Sequence, residues 1–406
     1  MTAINSKKAA LKLAALDSHK KNSILKSLLK ILKKEEECIY AQNLIDIEAA
    51  KKKGLSDAFI QRLEINKKVF KEMIKGIENI IKLEDPIGEV IEQKKLKNGL
   101  DLKRITTPLG VVLIIYESRP NVTIDVSAIC IKSGNAVILK GGSDAKYTNE
   151  SLFDCIQKSL KDNKIDPNTI QFVEREQINE LLKDNTNIDV VIPRGGKELI
   201  KNVTENSSIP VIKHYEGICN IYVDKEADIE SALKIIHNAK VQKPSACNAA
   251  ENLVIHNEIA KDILPKIKET LEKDKVEIRG DKETQKIIKC EPATTKDFRT
   301  EYLDNIIAVK IVKESNEAID FINNYGSHHS DAILTENHEL AEEFLNKIDS
   351  AAVFHNATTR FTDGAQFEMG CEIGISTDKL HARGPMGLKE MCSYKFVIKG
   401  KGHVRK

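Results

Sequence analysis

The sequence predicts an α/β protein with two domains, each built on a parallel sheet, and three observations predict it. From Val111 onward, short apolar runs alternate with helical stretches. Several of these runs, VVLIIY at 111–116 above all, are apolar at nearly every position, as strands covered on both faces must be. The 406 residues also exceed what one ordinary core serves, pointing to two or three domains.

Residues 5–82 come first and carry apolar positions at helical spacing, as in Leu11, Leu13 and Ala14 and then Ile24, Leu25, Leu28, Leu29 and Leu32. With almost no Gly or Pro to interrupt it, this region reads as two or three helices. The stretch EVIEQKKLKNGLDLKRITTPLG follows and alternates around Asn98-Gly99. That dipeptide accepts the positive φ angles of a two-residue turn, so a charged hairpin arm is expected near residues 87–107. VVLIIY, AVILK, IQFVE, IDVVIP and IPVIK are then the strands of a first set, with helices from about Val122, after Ser143 and after Gly196. A second set runs through ENLVIH, KVEIRG, NIIAVKIV, DAILT and AAVFHN. No internal repeat or low-complexity linker separates the sets, so two closely packed units are expected, with ligands outside the carboxyl ends of the strands.

Composition excludes several classes of function. Charged residues make up 31% and apolar ones 41%, a soluble globular balance. The formal net charge of +2 leaves no electrostatic footprint for nucleic acid, and the Lys-rich first 80 residues read as a solvated helix surface. No apolar run reaches the roughly 18 residues of a membrane span, and the N-terminus lacks the apolar core of a secretory signal. A cytoplasmic enzyme is therefore the default expectation, with an organellar presequence as the alternative. The eight cysteines show neither a C-x-x-C pair nor zinc spacing, and Cys130 and Cys155 fall on apolar positions of expected helices, which suits a reducing compartment. His328 and His329 in GSHHSDA lack a carboxylate or cysteine at ligand spacing, so no metal site is expected.

The chemistry-bearing segments lie elsewhere. In VQKPSACNAAEN, at 241–252, small residues surround Cys247, and Pro244 and Ser245 are residues that start helices. A cysteine beside a helix N-terminus gains thiolate character and leaves room for a carbonyl carbon; a structural cysteine in a loop looks the same in sequence. In YESRPNVTIDVSAICIKSGNAVILKGGSDA, at 116–145, a strand delivers Lys140 into a Gly141-Gly142 loop followed by Ser143. Glycines there let a backbone approach a ligand, and the ammonium suits ribose or phosphate oxygens. Asn121 can donate its amide to a developing oxyanion; spacing alone favours a simple helix cap.

Together these stretches resemble the gamma-glutamyl phosphate reductases of the aldehyde dehydrogenase superfamily. The resemblance is carried by IIYESRPNVTIDVSAICIKSGNAVILKGGSDA, DVVIPRGGKELI, KPSACNAAENLVIH, RFTDGAQFEMGCEIGIST and KLHARGPMGLKEMCSYKFV, and it runs from about residue 100 to the end. ESRPN and HARGPMGL are particular to the reductases. The resemblance implies an aldehyde dehydrogenase-like fold with a cofactor-binding domain at 1–226, a catalytic domain at 227–355, and a return segment with a C-terminal arm strand at 356–406. It implies that the hairpin and the last strand, SYKFVIKG at 393–400, pair across subunits of a homo-oligomer.

The resemblance casts Cys247 as the nucleophile that forms a thioester and Asn121 as an oxyanion donor. It places Lys140, Gly141, Gly142, Ser143, Gly195, Gly196 and Glu301 at the NADPH site, with Glu301 on the nicotinamide ribose. His381, Arg383 and Arg360 are its candidates for the phosphate and the free α-carboxylate of glutamate 5-phosphate. The superfamily's general-base glutamate falls on Lys213, and losing a base that would hydrolyse the thioester suits the reductive direction. A second departure lies in IPVIKHYEGICNIYVD, where His214 and Tyr215 replace a Gly-rich turn. A G-x-G-x-x-G fingerprint is missing, as the superfamily's dinucleotide binding implies, so NAD stands beside NADP. The activity implied is reduction of glutamate 5-phosphate to glutamate 5-semialdehyde in proline biosynthesis, fed by a separate glutamate 5-kinase. The rivals are an oxidative aldehyde dehydrogenase, a cysteine hydrolase with His256 as its nearest base, and an inactive scaffold for the kinase.

Overall fold

The computed structural model describes residues 1–213 and 215–405, without the side chains of Asp57 and Ala58. His214, singled out above, lies outside the described residues. The chain divides into one unit of Met1–Lys213, Glu368–Gly374 and Met386–Lys406 and another of His214–Phe367 and Ile375–Pro385.

Five helices open the first unit where two or three were expected: Thr2–Ala14, Ser18–Lys34, Glu36–Lys52, Asp57–Leu63 and Lys67–Lys82. The extra starts are set by local capping. Asp17 accepts from the Lys20 N–H, Ser56 from that of Phe59, and Asn66 from those of Lys68 and Val69, which satisfies donors that a helix start leaves open. Ile24, Leu25, Leu28 and Leu32 form the buried stripe of the second helix. The Ser159 hydroxyl on helix Lys146–Asp162 donates to the Ile24 carbonyl at 2.8 Å, tying that stripe to the α/β part.

A four-stranded parallel sheet follows in the order Ile170–Phe172, Ala136–Lys140, Val111–Tyr116, Val190–Arg194. Ile115 stands opposite Lys140 and Tyr116 opposite Arg194, so three strands end together along one edge. IPVIK contributes only a bridge between Val191 and Val211 rather than the expected strand. Helix Asn121–Ser133 stops at Gly134, whose φ of 74° closes the helix in the left-handed conformation that glycine adopts without strain.

The arm is present as Val90–Lys95 and Asp101–Pro108. The last strand, Cys392–Lys399, pairs antiparallel with Asp101–Pro108 of its own chain, with Tyr394 opposite Thr106. Asp101–Pro108 is thus the middle strand of a three-stranded sheet, and Cys392–Lys399 forms one of its edges.

The second unit is a seven-stranded parallel sheet in the order Glu291–Pro292, Glu277–Gly280, Ile306–Val312, Ala250–His256, Cys219–Val223, Ser330–Leu334, Ala352–His355. Cys219–Val223 is central to it, which moves the division between units back from 226/227 to 213/214. A buried polar ladder crosses three strands. The Asn220 side-chain amide donates to Asp331 at 2.7 Å, and that of Asn252 donates to the Asn220 oxygen at 2.9 Å. Burial raises the Asp331 carboxyl above its usual range.

In the first unit the wholly buried Lys21 ammonium donates to both oxygens of Asp85, at 2.9 and 2.8 Å. Removing the carboxylate strands a cation in the interior. Asp85→Ala is therefore expected to cost about 3 kcal/mol in urea unfolding, whereas Lys94→Ala, which breaks the exposed pair with Glu92, should leave the unfolding midpoint almost unmoved.

Candidate active site

In the second unit Cys247 lies in a run of turns between helix Ile229–Val241 and strand Ala250–His256. It is not at the helix start that Pro244 and Ser245 suggested. These two residues form a turn as readily as a cap, and the buried strand AENLVIH begins too soon for another helix to fit.

The Cys247 main chain is held from three directions. Gly217 packs on it so closely that a Cβ at that position would overlap the Cys247 carbonyl, which explains a glycine there. The Gly217 N–H donates to Glu301 at 2.8 Å, so Glu301 anchors the segment that backs the cysteine. The buried Cys219 thiol donates to the Cys247 carbonyl at 3.3 Å. One residue on, the Asn248 amide donates to the Thr362 carbonyl at 2.8 Å, and the Thr359 hydroxyl donates to the Asn248 carbonyl at 2.7 Å. This stitching brings the 358–362 turn and Arg360 to the cysteine.

Arg360 Nε donates to Gln242 at 2.8 Å. Burial lowers its guanidinium pKa, and the neighbouring Cys247 sulfur works in the opposite direction. An anionic ligand would do the same. His381 is exposed with a positive φ of 71°, while Arg383 pairs with Asp349 at 2.9 Å. The structure thus joins Cys247, Glu301 and Arg360, and gives Arg383 to Asp349.

Beneath this group lies a pair that the sequence reading missed. The Lys240 ammonium and the Glu251 carboxylate meet at 2.7 Å with both side chains inaccessible to solvent. Burial pushes Glu251 up to about 7, against the pull of Lys240. Its second oxygen accepts from the Leu303 N–H at 3.3 Å, securing the chain just beyond Glu301.

In the first unit Asn121, Lys140, Gly141, Gly142, Ser143, Gly195 and Gly196 gather at the carboxyl edge of the four-stranded sheet. Asn121 is the first helical residue and not the cap, because Pro120 with φ −62° and ψ −26° already holds that place. Its amide donates to Asp125 Oδ2 at 2.9 Å. Lys140 is half-buried, and burial followed by Arg175 lowers its pKa. Gly141 makes room for Asn149, and Gly195 for Glu117, whose carboxylate accepts from the Gly196 N–H at 2.8 Å. Glu117 and Asp125 are further residues missed in sequence; ESRP at the end of a strand was the only available signal for the first.

These residues match a known architecture. The model of the aldehyde dehydrogenase family matches residues 2–295. Among curated relatives, a gamma-glutamyl phosphate reductase of Aquifex aeolicus is 49% identical, spanning 97% of this chain and 93% of the relative. One from Clostridium acetobutylicum is also 49% identical, spanning 99% and 97%. A crystal structure of gamma-glutamyl phosphate reductase from Thermotoga maritima superposes with a TM-score of 0.98 at 44% identity, covering 100% of this chain and 99% of that one. The chain belongs to the aldehyde dehydrogenase family and, within it, to the gamma-glutamyl phosphate reductases.

Burial raises the thiols of Cys130, Cys155, Cys219, Cys290, Cys371 and Cys392. Cys38 is exposed and Cys247 half-exposed. Iodoacetamide at mildly alkaline pH is therefore expected to modify Cys38 and Cys247 well before the other six, as read by peptide mass spectrometry. Gly217→Ala should alter the rate at Cys247 and leave that at Cys38 unchanged.

Proposed function

We propose that this chain catalyses reduction of L-glutamate 5-phosphate to L-glutamate 5-semialdehyde with release of inorganic phosphate, the second step toward proline. The observation that carries the reading is the half-exposed Cys247, fixed through its main chain by Gly217, Cys219 and Asn248 and accompanied by Arg360. The relatives' shared name supports the substrate.

The Cys247 sulfur attacks the acyl carbon, the bond from that carbon to the phosphate oxygen breaks, and a thioester remains. While the carbon is tetrahedral its oxygen is anionic, and the Cys247 N–H and the Asn121 side-chain amide are the donors that stabilise it. Arg360 balances the phosphate charge. Lys213 at the position of the oxidative enzymes' glutamate leaves no carboxylate there to activate water against the thioester. Hydride addition to the thioester carbon and departure of sulfur with the bonding electron pair then give the aldehyde and return Cys247 as the thiolate that makes the attack.

The reductant in this reading is NADPH. The carboxyl edge of the first unit's sheet fits a dinucleotide: Lys140 is a half-buried cation whose lowered pKa an anionic partner would restore, and Gly195 and Gly196 leave the backbone bare. Lys140, Ser143, Gly195 and Gly196 would hold the nucleotide, and Glu301 the nicotinamide ribose, while the bound nicotinamide supplies the hydride. The exposed Tyr394, Phe396 and Ile398 on the arm support association with a second copy of the chain.

The reaction run backward tests the proposal. Mixing the protein with glutamate 5-semialdehyde, phosphate and NADP should give phosphate-dependent absorbance of the reduced cofactor, absent in Cys247→Ala. Gly217→Ala should lower kcat by about 10²-fold, the typical effect of displacing a reacting group by about an ångström. Phosphate-independent reduction of NADP would overturn the reading in favour of a hydrolytic aldehyde dehydrogenase.

A further inference from the structure

The proposed reaction uses the Asn121 amide but leaves open what sets its orientation. A primary amide can be turned end for end at little steric cost, exchanging two donors for an acceptor, and with its oxygen forward Asn121 would repel an oxyanion. In the structure Asn121 Nδ2 donates to Asp125 Oδ2 at 2.9 Å, one helical turn away. Both residues line a cavity of about 280 Å³ within the first unit, together with Glu72 and Met73 of helix Lys67–Lys82 and with Cys371 and Glu372.

We propose that Asp125 is a positioning residue for the proposed reaction. Its carboxylate takes one N–H of the Asn121 amide and thereby fixes that amide with nitrogen forward, leaving the second N–H for the oxyanion. An ionised carboxylate accepts and cannot donate, so only the nitrogen end of the amide can face it. The bond is also charge-assisted, which makes it stronger than a bond between neutral groups.

A protonated carboxyl loses this discrimination, because its hydroxyl can donate to the amide oxygen and stabilise the reversed amide. Burial pushes Asp125 up to about 6, partly offset by the bond from Asn121, which places the transition within reach of an activity profile. The titratable groups facing it across the cavity are Glu72, Glu372 and Cys371; among the residues lining this cavity there is no Lys or Arg to hold the carboxylate ionised. The inference rests on the role proposed for Asn121 and adds a residue that assists it without touching the substrate.

The test is the kcat and KM of NADP reduction by glutamate 5-semialdehyde and phosphate, measured from acid to neutral pH for the unsubstituted chain, Asp125→Ala and Asp125→Asn. Melting temperature and circular dichroism are recorded for each. The unsubstituted chain should lose kcat as pH falls through about 6. Asp125→Ala should lower kcat about tenfold or more at neutral pH with little change in KM, as expected when an oxyanion donor is misdirected. Asp125→Asn keeps an accepting oxygen of the same shape, so it should recover part of kcat and lose the acid limb. An Asp125→Ala kcat close to the unsubstituted value overturns the inference, as does an acid limb that persists unchanged in Asp125→Asn. If the alanine variant does not fold, the profile of the asparagine variant decides alone. Absence of phosphate-dependent turnover in the unsubstituted chain overturns the proposed function itself, and the inference with it.

Discussion

A parallel strand covered by helices on both faces has no solvent side along which to carry chemistry, and this constraint organises the molecule. Val111–Tyr116 and Ala250–His256 are buried at every position. Polar groups inside such a sheet must find partners within it, as Asn252, Asn220 and Asp331 do. Reactive groups are pushed to the strand ends and turns. Lys140, Glu117 and Gly196 stand where strands of the first sheet stop, and Cys247 stands just before a strand of the second begins. In the turns the backbone is bare enough for Gly217 to pack on Cys247, so rigidity there comes from main-chain contact more than from side-chain bulk.

Much of this was legible in the chain because local rules and global fold agree. VVLIIY, AVILK and ENLVIH announce buried strands, and Asn98-Gly99 announces the hairpin. What escaped notice depends on partners distant in sequence. CNIYV looks too polar for a central strand until Asp331, 111 residues away, is seen to take the Asn220 amide. Glu117 gains its role only by meeting Gly196, 79 residues on. Pro244 and Ser245 suggest a helix start because turn and cap share residue types, and only the proximity of the next strand decides between them.

Two of the buried ion pairs play different parts. Lys21 and Asp85 join the helical start of the chain to the approach of the arm. Lys240 and Glu251 bracket the cysteine turn in sequence, one on the helix before it and one on the strand after it. A pair of this kind adds little to net stability compared with apolar packing, but it tolerates few alternative arrangements, because each partner is costly when left alone. The turn between them inherits that narrowness.

The closing strand has a consequence for how the protein is made. Cys392–Lys399 completes a sheet begun near residue 90, and the Asn135 amide waits for the Met391 carbonyl, 256 residues later. All of the second unit is encoded between them. On a ribosome the second unit's sheet has every strand it needs before the first unit has its last one. The earlier half of the chain must therefore remain unfinished, with the edge of Asp101–Pro108 exposed, until residues 392–399 have been made. Emergence of residues 392–399, rather than collapse of the helical start, becomes the event that commits the first unit to its final form.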